Sequence, residues 1–385
     1  MGLAVYPWQE ELARELVSFK DNLPNGLLVY GPRGIGTIDL VIAYAKSLFC
    51  EHPHKDGTPC GECKGCKMAN AFTHPDLRYV VSEAESIPRG IPFEPPSNAT
   101  KDRKIYREIL IHQPRELTDF LNLAPHVDKG RRIIVVYPAD AIRADAAATF
   151  LKSLEEPPER TTFLLVADDI DRVLPTIRSR CRLLRAKAPT HEESLNWLKS
   201  VGVDDAEEAL ARAAERPCLV TDEHSIRNNS DIDAKVRDQL LTLTTMAPAI
   251  RMALLKTLAQ GASIELTNIA VKEGRTALPV SAVLPVLERW SYDLLAVKQG
   301  LEPHYFPAYS PQMKRLVSSV DAEKLFKYSD SLKAMRRVVT HPLNAQLIVV
   351  QAILLYRKTM ANHDFDFVRR LLVFSYLVQL HFLHA

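Results

Sequence analysis

An apolar run, Leu27-Leu28-Val29-Tyr30, leads into Gly31-Pro32-Arg33-Gly34-Ile35-Gly36 and then into a helix-like run, Leu40-Val41-Ile42-Ala43-Tyr44-Ala45. A strand, a Gly-rich turn and a helix in that order constrain the fold strongly, because they are the first unit of a parallel βαβ sheet. The spacing of Gly31 and Gly36 is that of G-x-x-x-x-G-K-[ST], a loop that cradles phosphates. The next residues are Thr37 and Ile38, where Lys and Ser/Thr belong. The Lys of a working loop holds the β/γ-phosphates and the hydroxyl helps hold Mg²⁺. Reading Thr37 as that hydroxyl after a one-residue deletion still leaves the Lys missing. Asp39 adds negative charge at the helix end that would otherwise attract an anion. Gly31, Gly34, Gly36 and Thr37 thus read as the frame of a nucleotide site without its chemistry; a chance Gly-rich turn is the alternative that the loop alone leaves open.

Four further runs have strand character: Leu77 to Val81, Ile133 to Tyr137, Thr162 to Val166 and Arg182 to Arg185. Most are apolar on successive residues, as in a parallel sheet covered on both faces. Ile87 to Pro96 reads as a surface loop. Strand signals stop near Pro189, His191 to Ala214 reads as helical, and Asn228-Asn229-Ser230-Asp231 reads as a linker into an all-helical remainder. A chain of 385 residues exceeds one ordinary core. The 49 basic and 47 acidic residues give a net charge of +2, so no global field marks a nucleic-acid binder, and any such contact is local or made by a partner. The N-terminus has no basic, apolar leader pattern. Val368 to Ala385 is interrupted by Arg369, Arg370, Gln379, His381 and His384; an amphipathic terminal helix is expected rather than a membrane span. A cytoplasmic protein with reduced thiols follows.

Cys50, Cys60, Cys63 and Cys66 cluster as C-x9-C-x2-C-x2-C, with Gly57, Pro59, Gly61 and Gly65 between them. Two overlapping C-x-x-C steps place thiolates on tight turns that can converge on one tetrahedral ion, so structural Zn²⁺ is expected. With all four positions filled by protein, no site remains for a catalytic water. A redox pair or unliganded thiols is the alternative. Cys181 and Cys218 stand alone and read as small apolar residues.

Three signatures follow the loop: Ile133-Ile134-Val135-Val136 into Tyr137-Pro138-Ala139-Asp140; Asp145 to Pro158, which contains Leu154-Glu155-Glu156-Pro157-Pro158; and Pro175 to Cys181, which ends Ser179-Arg180-Cys181. Together with the four-cysteine module they resemble bacterial clamp-loader subunits of the AAA+ ATPase class, specifically over residues 5–230 and more weakly to Arg357, where Leu343-Asn344-Ala345-Gln346-Leu347 looks like a last collar helix. The segment after Asp364 matches nothing in that pattern. The resemblance implies an AAA+-like α/β domain over 1–188 with the zinc module at about 50–66, a small helical lid over 189–229 and a helical collar over 230–385. It implies as partners the gamma/tau and delta types of clamp-loader subunit and, through the complex, the sliding clamp and primed DNA, with no membrane.

ATP-hydrolysing members of the group, the gamma/tau type, end the central strand in Asp-Glu. Here those positions are Tyr137 and Pro138, and the sensor position falls at Ala167-Asp168. Neither residue at the strand end can hold Mg²⁺ or activate water, and a carboxylate at Asp168 would repel phosphate. The resemblance therefore implies a subunit that does not bind ATP productively; a gamma/tau-like hydrolysing subunit is the alternative. The Ser-Arg-Cys motif is intact. In the family that Arg crosses the subunit interface toward ATP held by a neighbour, so Arg180 is the expected arginine finger, against a solvated basic helix end. Glu155 and Glu156 read as solvated acids on a helix-ending turn, and Lys101 to Arg107 as a solvated basic face. The apolar side chains Leu347, Ile348, Val349, Ile353 and Leu354 bury either against partner subunits or in the collar's own core.

Overall fold

The computed structural model describes residues 3–100, 103–123, 130–213, 215–244, 254–261, 280–338 and 345–361. The segment after Asp364, Lys101 of the basic cluster, and Leu343 and Asn344 lie outside these residues. The chain divides into two compact units, residues 1–240 and 241–385.

The first unit is built on five strands, β1 (Gly26–Tyr30), β2 (Leu77–Val81), β3 (Arg132–Tyr137), β4 (Thr161–Ala167) and β5 (Arg182–Arg185), all parallel, in the order β2-β3-β4-β1-β5. Two cores flank the sheet, as the apolar runs require. Leu27, Val29, Ile133, Val135, Tyr137, Leu164 and Val166 face one side. There α1 (Glu10–Ser18) and α2 (Thr37–Ser47) contribute Leu12, Leu16, Leu40, Val41 and Tyr44. Leu28, Ile134, Val136, Phe163, Leu165 and Ala167 face the other. Numbering in chain order, α3 is Lys64–Asn70, α4 Glu83–Ser86, α5 His112–Asn122, α6 Ala144–Glu155 and α7 Pro175–Arg178. Leu117 and Leu121 of α5, Phe150 and Leu154 of α6 and Ile177 of α7 cover that second face. Successive residues of one strand thus enter different cores, so each is apolar. Phe150 and Phe163 meet edge to face at 5.6 Å between ring centres, worth about 0.5–1.5 kcal/mol beyond area burial.

Past β5 come α8 (His191–Ser200), α9 (Ala206–Arg212) and α10 (Pro217–Asn228). Residues 191–214 are two helices rather than one, because Gly202 turns the chain at φ +82°, a left-handed conformation that ends a helix. Leu198, Ala206 and Leu210 form a small core of their own. α11 (Ala234–Thr244) follows the Asn228 to Asp231 stretch and crosses the boundary between the units.

Among the described residues the second unit is helical: α12 (Val280–Lys298), α13 (Ser310–Ser318), α14 (Ala322–Val338) and α15 (Ala345–Met360). Ile348, Val349 and Ile353 are buried in this unit's own core; Leu354 is half-buried. Trp290 donates to the Tyr356 hydroxyl at 3.0 Å, which donates to the Leu258 carbonyl at 2.8 Å. Buried Asp293 accepts backbone N–H groups from His304, Tyr305 and Phe306 at 2.7–3.1 Å, which anchors the turn between α12 and α13.

Candidate functional site

β1, β3 and β4 end side by side, and ligands in open α/β sheets bind outside such carboxyl ends. Gly31 is pinned there by its N–H to the Ala167 carbonyl at 3.1 Å. Gly34 and Gly36 hold φ of +84° and +77°, which side-chain-bearing residues rarely adopt. The loop therefore has the backbone of a phosphate cradle, leading directly into the N-terminus of α2.

Protein packs tightly against the glycines of that cradle. A Cβ on Gly34 would lie 2.5 Å from Leu219 Cγ, and one on Gly36 would lie 2.1 Å from the Tyr6 ring. Cys218 N–H donates to the Gly34 carbonyl at 3.0 Å. Trp8 Nε1 donates to the Ile35 carbonyl at 2.9 Å, and Gln9 Nε2 to the Gly36 carbonyl at 2.7 Å. Tyr6 stacks on Trp8 at 5.2 Å between ring centres, and Trp197 of α8 meets both rings edge-on.

Beside the cradle runs a chain of ion pairs. Arg33 Nη2 contacts Glu85 Oε1 at 2.6 Å, Arg89 Nη1 contacts Glu85 Oε2 at 2.9 Å, and Arg89 Nε contacts Asp39 Oδ1 at 3.2 Å. The Tyr6 hydroxyl closes the chain on Asp39 Oδ2 at 3.3 Å. Burial works to raise the Glu85 carboxyl, but Arg33 and Arg89 outweigh it and hold the group below its ordinary range. Burial pushes Asp222 of α10 up to about 6 despite the nearby Arg89.

At the strand ends, Tyr137 OH donates to Asp168 Oδ1 at 3.1 Å, and Asp168 N–H donates to Asp140 Oδ1 at 3.1 Å. Burial raises the Asp168 carboxyl to about 7; Arg33 opposes the rise and Asp140 adds to it. The carboxylate expected to repel phosphate is thus partly protonated at neutral pH.

The cavity left is about 20 Å³, lined by Arg33, Thr37, Asp39, Glu85, Arg89 and Asp168 among others. That suffices for roughly one water, whereas ligand pockets run to ~300–1,000 Å³. The buried Thr37 Oγ1 has no hydrogen-bond partner among the described residues. Four carboxylates (Asp39, Glu85, Asp168, Asp222) face two guanidiniums (Arg33, Arg89), so the lining carries 2 − 4 = −2 with all six ionised and 2 − 3 = −1 with Asp168 protonated. Such a lining opposes a polyphosphate.

The sequence pointed to the loop, Tyr137 and Asp168, and the structure brings them together. It did not point to Glu85, Arg89, Tyr6 or Asp222, which lie in other segments. Residues 87–96, expected as a surface loop, carry Arg89 into the site. The only local signal was the i, i+4 spacing of Glu85 and Arg89, which is common on solvated helices.

The four cysteines converge. The Sγ atoms of Cys50, Cys60, Cys63 and Cys66 all lie within 4.8 Å of one another, and Cys60 and Cys66 are 3.9 Å apart. A tetrahedron with Zn–S bonds of about 2.3 Å has sulfurs roughly 3.8 Å apart, so the set fits a zinc ion. Backbone N–H groups of Glu51 and Cys66 point at Cys63 Sγ at 3.4 and 3.3 Å and hold that thiol down at about 6. Burial pushes Cys66 up to about 12; a bound cation would reverse that. Gly65 is required here, since a Cβ would lie 2.0 Å from the Phe49 carbonyl oxygen.

Arg180 lies beyond this pocket, on the turn between α7 and β5. Its Nη2 contacts Glu155 Oε1 at 2.5 Å, with the side chains 36% and 46% exposed. Glu155, read from the sequence as a solvated acid, is therefore a partner of Arg180. Cys181 is half-buried against the second core. In the basic cluster, Arg103 pairs with Glu83 at 2.5 Å.

A family model described as DNA polymerase III, delta subunit, matches residues 8–190. Within that span lie the cradle, Tyr137, Asp168, the four cysteines and Arg180. DNA polymerase III subunit delta' of Pseudomonas aeruginosa is 36% identical over 206 residues, covering 54% of this chain and 56% of the relative. The Escherichia coli delta' subunit is 32% identical over 213 residues, again 54% and 56%. Residues 8–190 thus resemble DNA polymerase III subunits of the delta-prime type. The chain spans just over half the length of these curated relatives. A solved DNA polymerase III, gamma subunit-related protein from Thermotoga maritima aligns over 92% of this chain and 100% of its own at 16% identity, with a TM-score of 0.43, a likeness too distant to argue from. No described helix is long and apolar enough to cross a membrane.

Proposed function

We infer that this chain is a non-hydrolysing delta-prime-type subunit of the DNA polymerase III clamp loader, acting in the cytoplasm. Residues 1–188 are its AAA+-like domain, 189–229 its lid and 230–385 its collar, and a structural Zn²⁺ on Cys50, Cys60, Cys63 and Cys66 holds the 50–66 module. It assembles with gamma/tau and delta-type subunits and assists ATP-dependent loading of the sliding clamp on primed DNA. Arg180 is the finger it gives to a neighbouring ATPase subunit. A guanidinium supplied in trans is worth roughly 10³–10⁵ in phosphoryl-transfer rate, and the planar fork suits two phosphate oxygens.

The observation that carries the non-hydrolysing reading is the pocket itself. Leu219 and Tyr6 pack against the glycines of the cradle, Arg33 and Arg89 are spent on Glu85 and Asp39, and Tyr137-Pro138 stands at the metal and base positions. The same contacts tie α8 and α10 to the loop, where a nucleotide would otherwise bridge lid and body. Binding of a fluorescent ATP analogue, and turnover of labelled ATP with Mg²⁺, tests this on the isolated chain. Neither is expected above background. Magnesium-dependent turnover abolished by Gly36→Ala would overturn it.

A further inference from the structure

We propose that Glu155 is a positioning residue that orients Arg180 toward the neighbour's nucleotide; this rests on the reading of Arg180 as a finger. A Cβ on Gly26 would lie 2.9 Å from Cys181 Sγ, 3.2 Å from the Arg180 carbonyl oxygen and 3.4 Å from Leu154 Cδ1. The start of β1 thus draws the end of α6 and the Ser179 to Cys181 turn together. Glu155 is the last residue of α6, and Glu156 leaves the helix at φ −124°, ψ 66° because a residue before proline avoids helical geometry. The helix therefore stops where its final carboxylate stands beside Arg180.

The guanidinium is held from two sides. Nη2 meets Glu155 Oε1 at 2.5 Å; Nη1 donates to the Thr176 carbonyl at 2.8 Å and to Ser179 Oγ at 3.3 Å. Ser179 Oγ in turn donates to the Thr176 carbonyl at 3.1 Å. Three of the five donors of an arginine are engaged, which leaves two for phosphate oxygens. An unrestrained surface arginine spreads over many rotamers and loses that freedom on docking. Glu155 narrows the spread beforehand while leaving the fork charged. With both side chains more than a third exposed, the pair biases the rotamer rather than locking it.

The test is a double-mutant cycle in the reconstituted clamp loader, with this chain as wild type, E155Q, R180A and E155Q/R180A. E155Q is expected to lower kcat for ATP roughly two- to fivefold with KM changed less, E155D to restore part of the loss, and E155Q to cost nothing further in the R180A background. Thermal melting of each chain checks that it is folded. Unchanged or faster turnover by E155Q, or the same fractional loss with R180A present, overturns the positioning role while the finger stands. If R180A itself leaves turnover unchanged, the finger reading fails and the positioning role with it.

Discussion

Glu85→Gln removes one negative charge from between Arg33 and Arg89 while keeping the shape of the side chain. Glu85 accepts from Arg33 at 2.6 Å and from Arg89 at 2.9 Å, and the three side chains are 10%, 28% and 14% exposed. Removing one partner of a buried pair costs roughly 3–5 kcal/mol, because the remaining charge is left uncompensated. The amide oxygen still accepts one neutral hydrogen bond, and Arg89 keeps Asp39 at 3.2 Å, so the expected loss is about 2–3 kcal/mol. For a unit of this size that lowers the melting temperature by roughly 4–12 °C. The Glu85 carboxyl is held below its ordinary range in the folded state. Its contribution is therefore fully present above the unfolded carboxyl pKa and is lost as pH falls through the lower folded value. Burial, with Glu85 adding to it, raises Asp168 to about 7 and Asp222 to about 6, so the test of Glu85 itself lies below those values: the gap between wild type and E85Q, measured by urea unfolding, should close as pH falls from about 5 toward the acid limit of folding. A gap under about 0.5 kcal/mol at pH 7, or one that widens below about pH 5, would refute the claim that this network holds the pocket shut.

Asp168 gives the opposite sign. Its folded carboxyl is raised to about 7, so between the unfolded carboxylate range and that value the folded state binds more protons, and stability falls as pH rises. Asp168→Asn should therefore gain on wild type by a few kcal/mol across about pH 4 to 7 in urea unfolding; a pH-independent difference would contradict the burial argument. Metal analysis should find about one zinc per chain. Chelation should open the 50–66 segment to protease while the parallel sheet persists, and a metal-free chain with that segment still protected would remove the zinc assignment.

The sheet was legible in the sequence because its physics is local. A strand covered on both faces is apolar at successive positions, as Ile133 to Tyr137 is, and the edge strand Leu77 to Val81, with Arg78 exposed, still shows in Leu77, Val80 and Val81. The convergence of Cys50, Cys60, Cys63 and Cys66 was legible for the same reason, since four thiols within a short turn-rich stretch are held near one another by the chain itself. The filling of the pocket was not legible. Arg33, Asp39, Glu85, Arg89 and Asp222 are charged residues from separate segments, each of which alone reads as a solvated side chain, and only the closing of the sheet and α10 brings them together. Tyr6 gave no signal because its ring is placed by the missing Cβ of Gly36, a steric fact that spacing does not encode. Glu155 reads as a solvated acid because it is partly exposed and its partner Arg180 comes from a distant segment, brought beside it only by the fold.

The central claim is that this chain hydrolyses no ATP yet governs hydrolysis next door, and steady-state ATPase of the reconstituted clamp loader on primed DNA tests it most directly. Arg180 is partly exposed, so Arg180→Ala should assemble and melt as wild type does. The complex carrying it should lose most of the turnover that depends on the neighbouring site, while the isolated wild-type chain shows none. Undiminished turnover with Arg180→Ala, or measurable hydrolysis by the isolated chain, would contradict the account.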